Sequence, residues 1–117
     1  MAGSIPYVAQ KALIRTQLVK CATSSPMEFP TYGDFGPRVG IPARGPWKKV
    51  LDLISAEEVK RGLPDVTFLL LNKTTGYPDK IGFVEAKPPS AAQRAKARTE
   101  VQKIIDKYNP GFPNPFI

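Results

Sequence analysis

Apolar side chains recur at the three- and four-residue spacing of an amphipathic helix near both ends of the chain. Near the N-terminus they predict a helix from about Pro6 to about Ala22, with the stripe Ile14, Leu18, Cys21 and Ala22. Near the C-terminus, Ser90 and Gln93 have the spacing of a capping box. The stripe that follows predicts a long helix ending near Tyr108 and comprises Val101, Ile104, Ile105 and Tyr108.

Glycine and proline divide the middle of the chain into shorter elements. Residues 31–40 predict a short helix with a glycine exit, and Pro46 opens a second helix that extends through Ile54. Trp47 lies on the apolar face of that second helix, which predicts a core position. Ser55 and Glu58 have the form of a capping box, which predicts that a further turn or helix starts there and stops at Gly62. Two short helices joined by a glycine-containing turn are typical of a helix-turn-helix.

Two apolar stretches without helical spacing predict β-strands. They are residues 66–72 and 81–86, and turn residues separate them at 74–79. If they fold back near Gly76, they form a β-hairpin, and the outline becomes that of a winged helix-turn-helix. We therefore expect a small single α+β domain over residues 1–110, with an N-terminal helix, a helix-turn-helix-like segment, a β-hairpin and a long C-terminal helix.

The tail at residues 111–117 is rich in proline and phenylalanine, which disfavours regular structure. Its phenylalanines either pack against the domain or dock a protein partner. A protein-interaction module that uses this tail is therefore one functional hypothesis for the chain.

Charge points to a polyanionic partner. Lysine and arginine outnumber aspartate and glutamate by 17 to 10, a net charge of +7. The charged residues between Gly36 and Leu51 are all basic: Arg38, Arg44, Lys48 and Lys49. A second basic set lies in the last predicted helix, where Arg94 and Arg98 are one turn apart. These patterns predict a sequence-tolerant nucleic-acid binder, with duplex DNA favoured and no cofactor required for binding.

Composition also excludes several chemistries. The chain has no histidine and a single cysteine, so zinc sites and Ser-His or Cys-His catalysis are not expected. No stretch approaches the length of a membrane span, and the N-terminus lacks the pattern of a secretory signal. We therefore expect a cytoplasmic protein without a membrane partner.

Residues 31–51 read TYGDFGPRVGIPARGPWKKVL. This run resembles the helix-turn-helix segment of the alkylguanine alkyltransferases and alkyltransferase-like DNA-binding proteins. The resemblance implies that Tyr32 contacts the DNA backbone and that Arg44 enters the minor groove and fills the gap left by a flipped base. The run departs from the family pattern at Pro37 and Pro46. The Pro-Cys-His-Arg motif is absent, which excludes alkyl transfer.

A second resemblance involves Pro64-Asp65 and Glu85-Ala86-Lys87. Two carboxylates and a lysine at the open end of the expected hairpin resemble the PD-(D/E)XK nuclease signature. The resemblance implies a small nuclease in which Asp65 and Glu85 hold Mg²⁺ and Lys87 is the catalytic lysine. The alternative is that Asp65 is a turn residue and that Glu85 and Lys87 form a solvated strand end.

Overall fold

A computed structural model of the protein describes residues 5–81 and 88–116. Over these residues the chain forms four α-helices, α1 Lys11–Thr23, α2 Tyr32–Val39, α3 Lys48–Lys60 and α4 Ala91–Tyr108. Three short 3₁₀-helices accompany them at Val8–Gln10, Val66–Leu69 and Asp79–Ile81. The described part of the chain is therefore helical throughout its regular elements.

The predicted α+β class with a β-hairpin is wrong. Val66–Leu69, expected as a strand, is a buried 3₁₀-helix, and the second expected strand begins with Ile81 at the end of another 3₁₀-helix. The β-pairing seen between residues 5 and 81 consists of isolated bridges from Leu71, parallel to Thr31 and antiparallel to Pro78. Residues 82–86 of the second expected strand lie outside the described residues. The winged form of the helix-turn-helix therefore loses the hairpin on which it depended.

Local hydrogen bonds explain why residues 66–69 turn instead of extending. Asp65 Oδ1 accepts bonds from the backbone N of Thr67 at 3.0 Å and from Thr67 Oγ1 at 2.5 Å, which caps a helical turn. The backbone N of Leu70 then donates to the Thr67 carbonyl at 3.2 Å. All four residues of the turn are buried. Because a buried turn and a buried strand both need apolar side chains on every side, the sequence pattern did not distinguish them.

Helix boundaries agree with the sequence where capping is local. The predicted capping box of Ser90 and Gln93 is confirmed at the start of α4. Thr31 caps α2 by accepting from Asp34 N at 3.3 Å, and Gly40 ends the helix in the left-handed conformation. By contrast, α1 begins later than the predicted Pro6, because Tyr7 has a φ of 61° and breaks the helical path.

The predicted break at Ser55 is wrong, since α3 is continuous across it. Instead of capping a new helix, Ser55 Oγ lies 3.0 Å from Thr67 Oγ1, and the Glu58 carboxylate is fully buried against Arg15 of α1. Both side chains of the apparent capping box therefore make tertiary contacts.

The hydrophobic core lies where α1, α3 and α4 surround the 3₁₀-helix at Val66–Leu69. The predicted α1 stripe is confirmed as fully buried, and Trp47 is confirmed as a core residue that donates from Nε1 to the Pro42 carbonyl at 3.0 Å. The tail also packs on this unit: the Phe116 ring lies 5.8 Å from that of Phe29, and Asn114 Nδ2 donates to the Arg98 carbonyl at 2.9 Å. Of the two alternatives for the tail phenylalanines, packing against the domain is the one observed.

Across residues 5–81 and 88–116, none of the helices combines the length and the apolar character needed to cross a membrane.

Candidate nucleic-acid interface and adjoining groove

A tight connection between α2 and α3 presents Arg44 to solvent. Gly36 approaches the loop so closely that a Cβ on it would lie 2.3 Å from the Ile41 carbonyl oxygen, and Ile41 N donates to the Gly36 carbonyl at 3.1 Å. A turn then follows, in which Gly45 N donates to the Pro42 carbonyl at 2.8 Å. Arg44 lies in this turn with its side chain exposed.

Lys48 and Lys49 begin α3 directly after this turn, and both are exposed. Lys48 Nζ lies 2.9 Å from Asp52 Oδ2, whereas neither Arg44 nor Lys49 forms an ion pair with any described residue. No side chain caps the N-terminus of α3, and its first turn contains no acidic residue. The positive end of the helix dipole repels Lys48 and Lys49, and the two lysines repel each other. The start of α3, with the turn that carries Arg44, therefore favours an anionic partner.

Tyr32 is part of the same corner but points inward. Its ring packs edge-on against Trp47 with centroids 5.2 Å apart, and its side chain is half-buried. Burial, followed by the charge and hydrogen bond of Asp79, raises the pKa of the Tyr32 phenol well above its ordinary value. Tyr32 therefore stays un-ionised, and its predicted contact with a DNA backbone remains a prediction.

The other predicted cations lie in different surroundings. Arg38 is exposed, with Nη1 3.5 Å from Glu28 Oε1 and 3.3 Å from Cys21 Sγ, so part of its charge is already paired. Burial raises the pKa of the Cys21 thiol, which keeps it neutral beside that guanidinium. On α4, Arg94 Nη1 donates to the Pro89 carbonyl at 2.7 Å, and the exposed Arg98 follows one turn later. Arg94 and Arg98 thus form a separate basic surface.

An open groove of about 570 Å³ lies beside the α2–α3 turn. It is bordered by the α2–α3 turn, the first turns of α3 and the 3₁₀-helix Asp79–Ile81. Its wall includes both Tyr32 and Trp47. Its charged side chains are Lys48, Asp52, Asp79 and Lys80. Asp52 takes a hydrogen bond from Lys80 Nζ at 2.7 Å on Oδ1, and this bond, followed by that from Lys48, lowers the pKa of the Asp52 carboxyl.

The sequence did not identify Asp52, Asp79 or Lys80 as site residues. Asp79 follows Pro78 in a stretch that resembled an ordinary turn, and Lys80 reaches a partner 28 residues earlier in the chain. For Asp79 and Lys80, a signal was present in the second Pro-Asp dipeptide, Pro78-Asp79, with a lysine directly after it.

Of the three residues in the nuclease signature, Asp65 lies within the described part of the chain. Asp65 is 8% exposed and its Oδ1 is occupied by two bonds from Thr67, which matches the alternative of a turn residue. Glu85 and Lys87 lie outside the described residues, and Val66–Leu69, part of the first expected strand of the hairpin meant to bring them to Asp65, is a 3₁₀-helix. Among residues 5–81 and 88–116, no group of at least three histidine, cysteine, aspartate or glutamate side chains could hold a metal ion. Mg²⁺ binding and cleavage remain predictions.

In comparisons with known proteins, no family model, curated protein or solved structure matches the chain. Charge, burial and geometry are therefore the observations from which a function can be inferred. Those observations single out the exposed cations at the start of α3 and the groove beside them.

Proposed function

We propose that the protein binds duplex DNA through a basic surface made of Arg44, Lys48 and Lys49, called here the α3 basic surface. The observation that carries the proposal is that Arg44 and Lys49 form no ion pair with any described residue. Both lie in a segment, from Phe35 to Leu51, that contains no carboxylate side chain. An exposed cation without an intramolecular partner breaks no ion pair when it contacts a phosphate. Each phosphate that it neutralises releases counterions condensed on the DNA, which favours binding.

The position of these cations also supports a helix-terminus mode of binding. Lys48 and Lys49 occupy the uncapped first turn of α3, where backbone N–H groups and the helix dipole favour a phosphate. In helix-turn-helix proteins the first residues of the second helix approach the DNA, and α3 follows α2 through a glycine-containing turn. Arg44, at the exposed tip of that turn, is then the side chain nearest to the bases.

The basic surface of α4 is a second contact in this proposal. Arg94 and Arg98 are exposed on one side of a helix whose other side is buried in the core. Such a face follows phosphates without reading sequence, which agrees with a sequence-tolerant binder.

The test is a titration of fluorescently labelled, blunt-ended duplex DNA with the protein, from about 50 to about 200 mM salt. We expect the logarithm of the binding constant to fall linearly with the logarithm of salt concentration. The slope should be about −2.7 if the α3 basic surface neutralises three phosphates, and steeper if α4 joins. Absence of binding at the lowest salt contradicts the proposal. Parallel samples with Mg²⁺ or EDTA, analysed for strand cleavage, test the separate prediction of nuclease activity.

A further inference from the structure

The groove beside the α3 basic surface has the size and lining of a small-ligand site. Its volume of about 570 Å³ lies within the range of pockets that hold small organic ligands. Apolar groups of Pro46, Trp47 and Leu51 contribute to its walls, and a small number of charged side chains interrupt them. Most of those charged side chains have no part in the proposed duplex contacts.

One side of the groove holds two ammonium groups around a single carboxylate. Lys80 Nζ and Lys48 Nζ lie 2.7 and 2.9 Å from the two different oxygens of Asp52. These three groups carry a net charge of +1, and Asp79 brings the four charged side chains of the groove to a net charge of zero. An anion is therefore held by the remaining N–H donors of the two ammonium groups, since each has three donors. Lys80 is also largely shielded from water, with 21% of its side chain exposed, so an anion entering the groove interacts with it more strongly than with an exposed lysine.

The other side of the groove is aromatic and accepts hydrogen bonds. Lys80 reaches toward α3, whereas the preceding Asp79 accepts from Asn72 Nδ2 at 3.1 Å and, second to burial, raises the pKa of the Tyr32 phenol at the start of α2. A carboxylate has more acceptor sites than the bond from Asn72 uses. Asp79 can therefore also accept from the amino or imino groups of a nucleobase, next to the rings of Tyr32 and Trp47.

We propose that this groove binds a nucleoside monophosphate group. The phosphate accepts from N–H groups of Lys48 and Lys80 that Asp52 does not occupy, and the base lies against the aromatic wall with an N–H group directed to Asp79. The same chemical group occurs as a free nucleotide and at the 5′-phosphorylated end of a DNA strand. The proposal goes beyond duplex binding, because Asp52, Asp79 and Lys80 are not members of the α3 basic surface.

The experiment uses Trp47, the chain's single tryptophan, as a reporter in the groove wall. Each deoxynucleoside 5′-monophosphate is added in turn at up to millimolar concentration, with tryptophan emission and calorimetry as readouts. We expect a saturable change in emission. The corresponding nucleoside and inorganic phosphate should each bind about tenfold more weakly than the nucleotide, because each lacks half of the contacts.

Two matched substitutions locate the binding. Lys80→Gln removes the groove ammonium and should weaken nucleotide binding about tenfold or more, whereas Lys49→Gln, on the same corner but outside the groove, should leave it unchanged. Ala43→Phe, at an exposed position of the groove wall, fills part of the groove without altering any charge. This variant should abolish nucleotide binding. Thermal melts establish that each variant is folded.

Further titrations identify the source of the nucleotide group and distinguish a failure of the groove site from a failure of duplex binding. A single strand with a 5′-phosphate is compared with the same strand ending in 5′-hydroxyl and with the free nucleotide. This shows whether a phosphorylated strand end or a free nucleotide binds more tightly, and either preference supports the site. Unchanged emission with every nucleotide, equal losses in Lys80→Gln and Lys49→Gln, or inorganic phosphate binding as tightly as the nucleotide overturns it. Unphosphorylated blunt duplex, titrated in parallel, reports on the proposed duplex binding separately from the groove.

Discussion

Arg15 in α1 holds the buried carboxylate of Glu58 in α3, with Nε 2.7 Å from Oε1 and Nη2 3.3 Å from Oε2. Glu58 is fully buried, so this guanidinium compensates a charge that water cannot reach. Together with the ion pair of Lys11 and Glu57, the contact fixes α1 against α3. The helix that begins with the α3 basic surface is thereby anchored at its far end.

We expect Arg15→Ala to lower the free energy of unfolding by about 3 kcal/mol, because it leaves a buried charge without its partner. Urea denaturation followed by circular dichroism measures this change. Lys20→Ala, at an exposed position of the same helix, is the control and should change stability by no more than about 0.5 kcal/mol. A loss in Arg15→Ala as small as that of the control contradicts the role assigned to the pair.

The two glycines of α2 should respond in opposite ways to alanine. Gly36→Ala places a Cβ about as close as 2.3 Å to the Ile41 carbonyl, so we expect a loss of about 2 kcal/mol or more as the α2–α3 connection shifts. Gly33 is exposed, with its nearest neighbour at 3.8 Å, so Gly33→Ala should stabilise the helix by about 0.5–1 kcal/mol. Thermal and urea unfolding of both variants provides the measurement, and equal effects contradict the close approach at Gly36.

The stabilising effect of Asp52 should depend on pH. Its carboxyl pKa is lowered in the folded protein by the hydrogen bonds from Lys80 and then Lys48, so the stabilisation is complete above the unfolded pKa, about 3.9. It is lost as pH falls through the folded pKa. The stability difference between the wild type and Asp52→Asn should therefore be constant near neutral pH and shrink below about pH 4. Urea denaturation across this range checks it, and a difference that persists unchanged into strong acid contradicts the pairing.

Arg44 and Lys49 should contribute differently to DNA binding. Lys49→Ala removes one phosphate contact and should lower the magnitude of the salt slope by about 1. Arg44→Ala should cost about 1–3 kcal/mol, more than one charge explains, if the arginine enters a groove. Equal losses and equal slopes in the two variants indicate that both residues contact only phosphates. Circular dichroism of each variant provides the folding control.

For the candidate site residues, exposure could be predicted where its determinant is local. Arg44, Lys48 and Lys49 lie in or directly after a turn that contains proline and glycine, and all three are exposed. Their contact with DNA stays a prediction. Lys80 was missed because its partner Asp52 lies 28 residues away, and charge patterns along the chain do not reveal that pairing. Tyr32 was found, but its inward orientation depends on contacts with Trp47 and Asp79.

The sequence by itself determined those elements whose signals lie within one or two helical turns. The Ser90–Gln93 box started α4, Thr31 and Gly40 bounded α2, and apolar spacing placed the buried stripe of α1, because caps and periodicity act over a few residues. Only the tertiary structure decided that Val66–Leu69 is a 3₁₀-helix. Extended and turned backbones bury the same apolar side chains, so the local cap from Asp65 did not reveal the turn by itself. Burial of the turn among α1, α3 and α4 and the contact of Thr67 Oγ1 with Ser55 Oγ depend on residues distant in the chain.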